Sequence, residues 1–279
     1  MSSSEHIRAD FVAMVRRPEA AIDLARTALL VAAESDPSVD IEGQAGLLDA
    51  WAAELRARFD PQWNNLQKLA RLRSFVYEEL GFRGDQRDYY SPSNSLLHEV
   101  LQRRRGIPLT LAIVMMEVGW RVGIPFEGVG FPGHFLVRLT GEPRDLLLDP
   151  YQHAMSVHEE DCRRMLQHTS GGQLPFEQGL IASVGKRAMI ARLLHTLKGA
   201  YLRSGDDRLA LTAVDRLLVL DPEALDEQRD RGLLLFRLGR WRESLPCLVG
   251  YLERAPLAGD REEISQHVAA LRQMIASLN

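Results

Sequence analysis

Apolar residues recur at helical spacing along most of this chain and alternate at strand spacing in one short region. Over residues 19–34, Ile22, Leu29, Leu30 and Ala33 stack on one side, and Asp36-Pro37-Ser38 ends the run. Leu47, Leu48, Trp51 and Leu55 predict a second helix over residues 43–58, with Trp51 and Trp63 as core or core-edge residues. Leu66, Leu69, Val76 and Leu80 predict a third over residues 62–80, closed by Gly81 and Phe82. Ser93 is placed to cap a helix through Arg104 that buries Leu96, Leu97, Val100 and Leu101. The next helix, residues 108–122, opens on a proline, which the first turn tolerates, and puts Leu111, Ala112, Met115, Gly119 and Val122 on one face.

After the Gly123-Ile124-Pro125 break the period changes. Residues 128–139 and 144–149 read as two strands, with Thr140-Gly141-Glu142-Pro143 as the turn between them. A type II′ turn centred on Gly141 and Glu142 makes residues whose numbers sum to 283 face each other, and His134 and Asp149 are such a pair. Opposed residues in an antiparallel pair have Cβ atoms roughly 5 Å apart, near enough for a carboxylate to hold an imidazole in one tautomer. The spacing therefore predicts a His134/Asp149 dyad.

The last ninety or so residues repeat with a period of 34: Tyr201-Leu202-Arg203-Ser204-Gly205 matches Leu235-Phe236-Arg237-Leu238-Gly239, Ala210 matches Ser244, Leu218 matches Leu252, and Asp221-Pro222 matches Ala255-Pro256. This is the period of a tetratricopeptide repeat, a helix pair that buries its apolar face by stacking on a neighbour. Two units and a closing helix over residues 261–278 make a short array. Gly171-Gly172, Pro175 and Gly179 mark residues 168–185 as a linker. The resulting plan is a domain over residues 1–167, helical in its first 82 residues, a linker over 168–185 and a repeat domain over 186–279.

Composition narrows the function classes. A net charge of −4 argues against non-specific nucleic-acid binding on electrostatic grounds, and Arg103-Arg104-Arg105 reads as a solvated helix end rather than a phosphate site. Without a basic, apolar leader or a membrane-length apolar run, the expected compartment is the cytoplasm, with no membrane partner. Two widely separated cysteines, Cys162 and Cys247, fit a reducing environment without disulfides. His153, His158, Glu159, Glu160 and Asp161 lack a metal-ligand spacing and read as a polar helix start; no metal or cofactor is expected. The loop around Tyr89-Tyr90 is either a latch or part of a binding site, and Asn94 either donates to a ligand near His134 or braces that loop.

The stretch from Gly106-Ile107-Pro108 to Asp149 resembles the core of transglutaminase-like proteins and related cysteine peptidases, in which a Gly-x-Cys at a helix start precedes a hairpin carrying His and Asp. Gly81-Phe82-Arg83-Gly84, Asp88-Tyr89-Tyr90, Asn94-Ser95, Arg105-Gly106-Ile107-Pro108, Phe131-Pro132-Gly133-His134-Phe135 and Leu148-Asp149-Pro150, followed by the repeats, resemble the bacterial Sir-B-type family. The resemblance implies a mostly helical α+β fold: a transglutaminase-like, papain-like domain with a small antiparallel sheet, then an α-helical repeat array. It also implies that Pro108 stands where the superfamily has its nucleophilic cysteine.

Two readings follow. In the first, the protein is a pseudoenzyme: a non-catalytic scaffold or regulator with a cleft lined by Tyr89, Asn94, His134 and Asp149, and a repeat surface for a protein partner. In the alternative, His134 and Asp149 activate water or the Thr110 hydroxyl for amide or ester hydrolysis. The dyad is also readable as a purely structural clasp.

Overall fold

The computed structural model describes residues 3–277, and the described residues fall into two compact units, up to Leu193 and from Leu194 onward. In the first, α1 (Ser3–Val15), α2 (Leu24–Ala33), α3 (Ile41–Arg56), α4 (Asn65–Arg73) and α5 (Leu97–Arg103) precede α6 (Pro108–Arg121). Helix α1 lies ahead of the first predicted helix. The run predicted from residue 19 is split: a 3-10 turn occupies Glu19–Ala21, and Asp23 caps α2 by accepting from the Arg26 amide at 2.9 Å. The third run also changes character, from α4 to a π-helical turn over Ser74–Glu79, and Leu66 is exposed while Leu69, Leu72, Phe75 and Val76 form the buried face. Leu96 occupies the N-cap of α5, because Pro92–Asn94 makes a separate 3-10 turn that takes Ser93 out of the capping position.

Helix α6 is buried at every position from Pro108 to Gly119. A helix apolar all round has no solvent face and must be enclosed. Helices α2, α3, α4 and α5 pack on it, as do the strands that follow. Its buried carboxylate, Glu117, accepts from the Ala25 amide at 2.9 Å, satisfying a donor of the first turn of α2, and pairs with Arg121. Burial pushes the Glu117 carboxyl above its ordinary range.

The strands β1 (Arg83–Gly84) and β2 (Arg105–Gly106) form a parallel pair. A five-stranded antiparallel sheet contains β3 (Phe126–Val129), β4 (Leu136–Leu139), β5 (Leu146–Asp149), β6 (Met155–Val157) and β7 (Ser183–Val184), in the order β6-β5-β4-β3-β7. The register corrects the expected one: Val137 faces Leu148 and Leu139 faces Leu146, so facing residues sum to 285 rather than 283. Gly141 does adopt positive φ, +81°, but the Thr140 amide bonds to the Pro125 carbonyl at 3.0 Å, so residues 140–145 form a longer loop instead of a two-residue turn. A shift of two leaves every side chain on its original face.

Residues 168–185 contribute structure where a linker was expected. Helix α7 (Glu159–Ser170) ends with Gly171 at φ +60°, and the chain then makes a 3-10 turn and joins β3 as β7, with Val184 opposite Gly128. Phe176, Leu180 and Ile181 pack on a buried cluster of Val129, Phe131, Leu136, Cys162 and Leu166. The glycines thus mark a helix stop, and α8 (Lys186–Ser204) carries the unit boundary within it.

The second unit comprises the end of α8 with α9 (Asp207–Leu220), α10 (Leu225–Arg237), α11 (Trp241–Arg254) and α12 (Arg261–Ala276). The period of 34 is visible in its geometry: Gly205 and Gly239 both take positive φ, and Ala210 and Ser244 are both fully buried. Helix α10 packs on α9 and α11, and α12 on α11. Among the described residues no helix is long and apolar enough to cross a membrane.

Two measurements test this packing. A Cβ at Gly232 would run into the Leu248 side chain and lie 3.2 Å from the Cys247 Cβ. Gly232→Ala should therefore destabilise the repeat unit by about 1–3 kcal/mol in denaturant titration; an unchanged midpoint contradicts the packing. Burial, with Asp161 and Glu159 nearby, pushes the Cys162 thiol from 9.0 up to about 11. A raised thiol pKa favours the neutral form in the fold, so its stabilisation is present below pH 9 and lost as pH rises toward 11. Urea midpoints should fall across that window, and Cys162→Ala should flatten the slope.

Candidate functional site

Two local devices build the site. The first is the turn Phe131-Pro132-Gly133-His134, closed by a bond from the His134 amide to the Phe131 carbonyl at 3.1 Å. Proline at its second position and Gly133 at φ +68° at its third are the requirements of a type II turn. Gly133 is also crowded: a Cβ there would lie 2.8 Å from the Thr169 Cβ. The second device follows β5. Asp149 caps the 3-10 turn Pro150–Gln152, its Oδ1 accepting from the Tyr151 amide at 2.9 Å. The Ala154 amide returns to the Asp149 carbonyl at 2.7 Å through two residues of positive φ, His153 and Ala154.

Between these devices His134 Nε2 lies 2.9 Å from Asp149 Oδ1. The Asp149 side chain is 7% exposed and that of His134 16%, so the pair is shielded while the imidazole keeps some access to solvent. An ionised carboxylate only accepts, so in the neutral imidazole Nε2 carries the proton and Nδ1 keeps its lone pair. Nδ1 is then a hydrogen-bond acceptor or a base.

Aromatic rings extend from the pair. Tyr151 meets His134 edge-on at 6.2 Å between centroids, Tyr89 meets Tyr151 in the same manner at 6.2 Å, and Tyr90 meets Tyr89 at 5.3 Å. Tyr151 donates its hydroxyl to the Asp85 carbonyl at 3.1 Å, and its ring occupies the space left by Gly84. Burial raises the pKa of Tyr89 and of Tyr151, and both phenols stay protonated at neutral pH.

Asn94 takes the second of its two expected roles, bracing the loop, and Thr110 serves the first turn of α6. Both are fully buried. Asn94 donates from Nδ2 to the Asp88 carbonyl at 2.6 Å and accepts at Oδ1 from Arg103, which braces the loop carrying Tyr89. The Thr110 hydroxyl lies 2.8 Å from the Asn94 carbonyl and accepts from the Ile107 amide at 3.1 Å, a capping arrangement for the first turn of α6. Pro108 is the buried first residue of that helix and offers neither thiol nor N–H.

The arginine run is not a solvated helix end. Arg103 pairs with the buried Asp85 carboxylate at 3.0 Å, and Arg104, at φ 57°, lays its guanidinium over Trp51 and Phe82 at 4.3 and 5.0 Å. Burial alone would raise the Asp85 pKa, but the Asp88 and Arg87 amides and the Arg103 charge bring it below the ordinary value. Cys162 is fully buried with its thiol pushed up to about 11, the opposite of an activated thiol. Among the described residues no group of three or more His, Cys, Asp or Glu side chains is placed to hold a metal ion. Tyr151 and Asp85 were not singled out from sequence; the Asp149-Pro150-Tyr151 cap was the available signal for the former.

This geometry lies within a region that matches known proteins. Residues 45–195 match the transglutaminase-like superfamily, and residues 197–276 match the tetratricopeptide repeat. A UPF0162 protein of Xylella fastidiosa is 31% identical over 253 residues, covering 90% of each chain. A UPF0162 protein of Vibrio cholerae is 31% identical over 207 residues, covering 72% of this chain and 76% of its own. Human F-box only protein 21 is 28% identical over 195 residues, which are 66% of this chain and 30% of that one. With a superfamily match across the dyad and near full-length bacterial relatives, the chain belongs to the transglutaminase-like superfamily, within the UPF0162 family, with tetratricopeptide repeats after that domain.

Proposed function

We propose that this is a non-catalytic binding protein, a scaffold or regulator, in which the transglutaminase-like domain presents His134 to a partner and the repeat unit supplies a second protein-binding surface. The observation that carries this reading is the state of the first turn of α6. Pro108 has no nucleophilic atom, and the Thr110 hydroxyl, two residues on, is buried and engaged with the Asn94 carbonyl and the Ile107 amide. The His134–Asp149 pair then acts by binding: Nδ1 accepts from a partner's N–H or O–H beside the tyrosine rings. In the repeat unit an open groove of ≈ 640 Å³ is lined by Leu225, Tyr251, Arg254, Pro256 and Leu257, the last 97% exposed. A cytoplasmic bacterial partner fits this reading.

The hydrolytic alternative has one observation in its favour, the dyad itself, which is oriented as a general base would be. General-base assistance to water is worth typically about 10² to 10⁴-fold, so that reading needs further charge stabilisation at the site.

Affinity capture from a bacterial lysate separates the two readings. Full-length protein should retain a partner that Leu257→Glu or His134→Ala loses while each variant keeps its circular dichroism. Capture unaffected by either substitution, or hydrolysis of ester or amide substrates that His134→Ala abolishes, would sink the binding reading. Thr110→Val should leave capture intact and lower stability by about 1–3 kcal/mol, because the Asn94 carbonyl and Ile107 amide lose the hydroxyl and keep only their long 3.4 Å bond to each other. Lost capture at undiminished stability would instead give Thr110 a direct role.

A further inference from the structure

We infer that Arg192 is the positioning residue of the His134 site. This rests on the reading of His134 as the working group of the first unit and adds the residue that aims it.

Arg192 lies on α8, 58 residues after His134, and its Nη2 donates to both the Phe131 carbonyl at 2.8 Å and the His134 carbonyl at 2.6 Å. These carbonyls belong to the first and last residues of the type II turn, so a single guanidinium nitrogen holds both ends of the segment that presents the imidazole. The guanidinium carbon lies 5.7 Å from the centre of the Phe135 ring, the residue through which the turn enters β4. Asp149 fixes the far end of the ring through Nε2. His134 is thus held at its backbone by Arg192 and at its side chain by Asp149.

The helix has other anchors to the first unit than Arg192. The start of α8 is already anchored by Lys186, which donates to the Ile22 carbonyl at 2.6 Å, and by Arg187, which pairs with Glu19 at 2.8 Å and donates to the Val15 carbonyl at 2.8 Å. Burial lowers the Arg192 pKa, the signature of a cation placed where solvation is poor. A charge carried into such a place for two turn carbonyls, when two other cations secure the helix, is explained by what those carbonyls position. Lysine is a poor substitute, because its compact ammonium lacks the planar fork that lets a guanidinium hydrogen-bond the turn while stacking on a ring.

The test uses the full-length chain labelled with 15N-histidine. The His134 resonances are assigned among the eight histidines by their loss in His134→Ala. The readout is the solvent exchange of the Nε2 proton held by Asp149. Arg192→Ala should accelerate that exchange on the order of tenfold, the consequence of losing a charge-assisted hydrogen bond. Methylguanidinium should restore slow exchange where methylammonium does not, and Arg192→Lys should stay fast. Arg187→Ala, which loosens α8 elsewhere, should leave exchange unchanged. Wild-type exchange in both Arg192 variants would overturn the inference, as would equal acceleration by Arg187→Ala, which would reduce Arg192 to a helix anchor. Should Arg192→Ala fail to fold, Arg192→Lys alone decides, with fast exchange supporting the assignment and slow exchange overturning it. The readout involves no partner, so a capture experiment that fails while exchange behaves as stated removes the binding reading and leaves this assignment standing.

Discussion

The complete burial of α6 is the constraint on which the first unit depends. With no solvent face from Pro108 to Gly119, the helix has to be enclosed by α2, α3, α4, α5 and the strands, and its polar groups need internal partners. Thr110 finds them in the backbone around Asn94 and Ile107, and Glu117 finds them in the Ala25 amide and Arg121. The turn that begins after Asp149 also packs on this helix. One buried element therefore fixes the Tyr89 loop through Thr110 and Asn94, and supports one half of the dyad through Pro150–Gln152.

The dyad itself arises from short-range chemistry. A Pro-Gly turn sets the direction of His134, and an Asp-Pro cap holds the Asp149 carboxylate where it accepts from both the Tyr151 amide and the imidazole. Because each half is fixed by its own turn, the contact does not need the two residues to face each other across the ladder. In the observed register Asp149 lies beyond the last paired residues of β4 and β5, yet the 2.9 Å contact is made. Arg192 holds the His134 backbone and Asp149 its imidazole.

The parts legible in the sequence were those governed by local period. Helix-spaced apolar residues give the enclosing helices, and the 34-residue repeat appears as matched positive-φ glycines and matched buried positions in α8 to α11. Parts decided by distant contacts were not legible. The loop over residues 140–145 departs from a two-residue turn because Thr140 bonds to Pro125 on the neighbouring strand side. Residues 168–185 read as a linker because glycine marks a helix stop and a domain boundary alike, and only the pairing of β7 with β3 tells them apart. Arg104 looked solvated because nothing local announces that Trp51 and Phe82 lie beneath it. Asn94 and Thr110 carry groups suited to a ligand, and only burial shows that those groups are occupied by backbone and, at Asn94 Oδ1, by Arg103.

We propose that the His134–Asp149 pair is the superfamily's pair and that Pro108 fills its nucleophile position. Alkylation of Pro108→Cys tests it most directly, with Cys162 and Cys247 as the background read from the unsubstituted chain. The new thiol at the start of α6 should react with iodoacetamide at neutral pH faster than a free cysteine, and lose this advantage when His134→Ala is added. A folded Pro108→Cys variant whose new thiol reacts no faster than a free cysteine, with or without His134, would contradict the assignment of Pro108 to the nucleophile position.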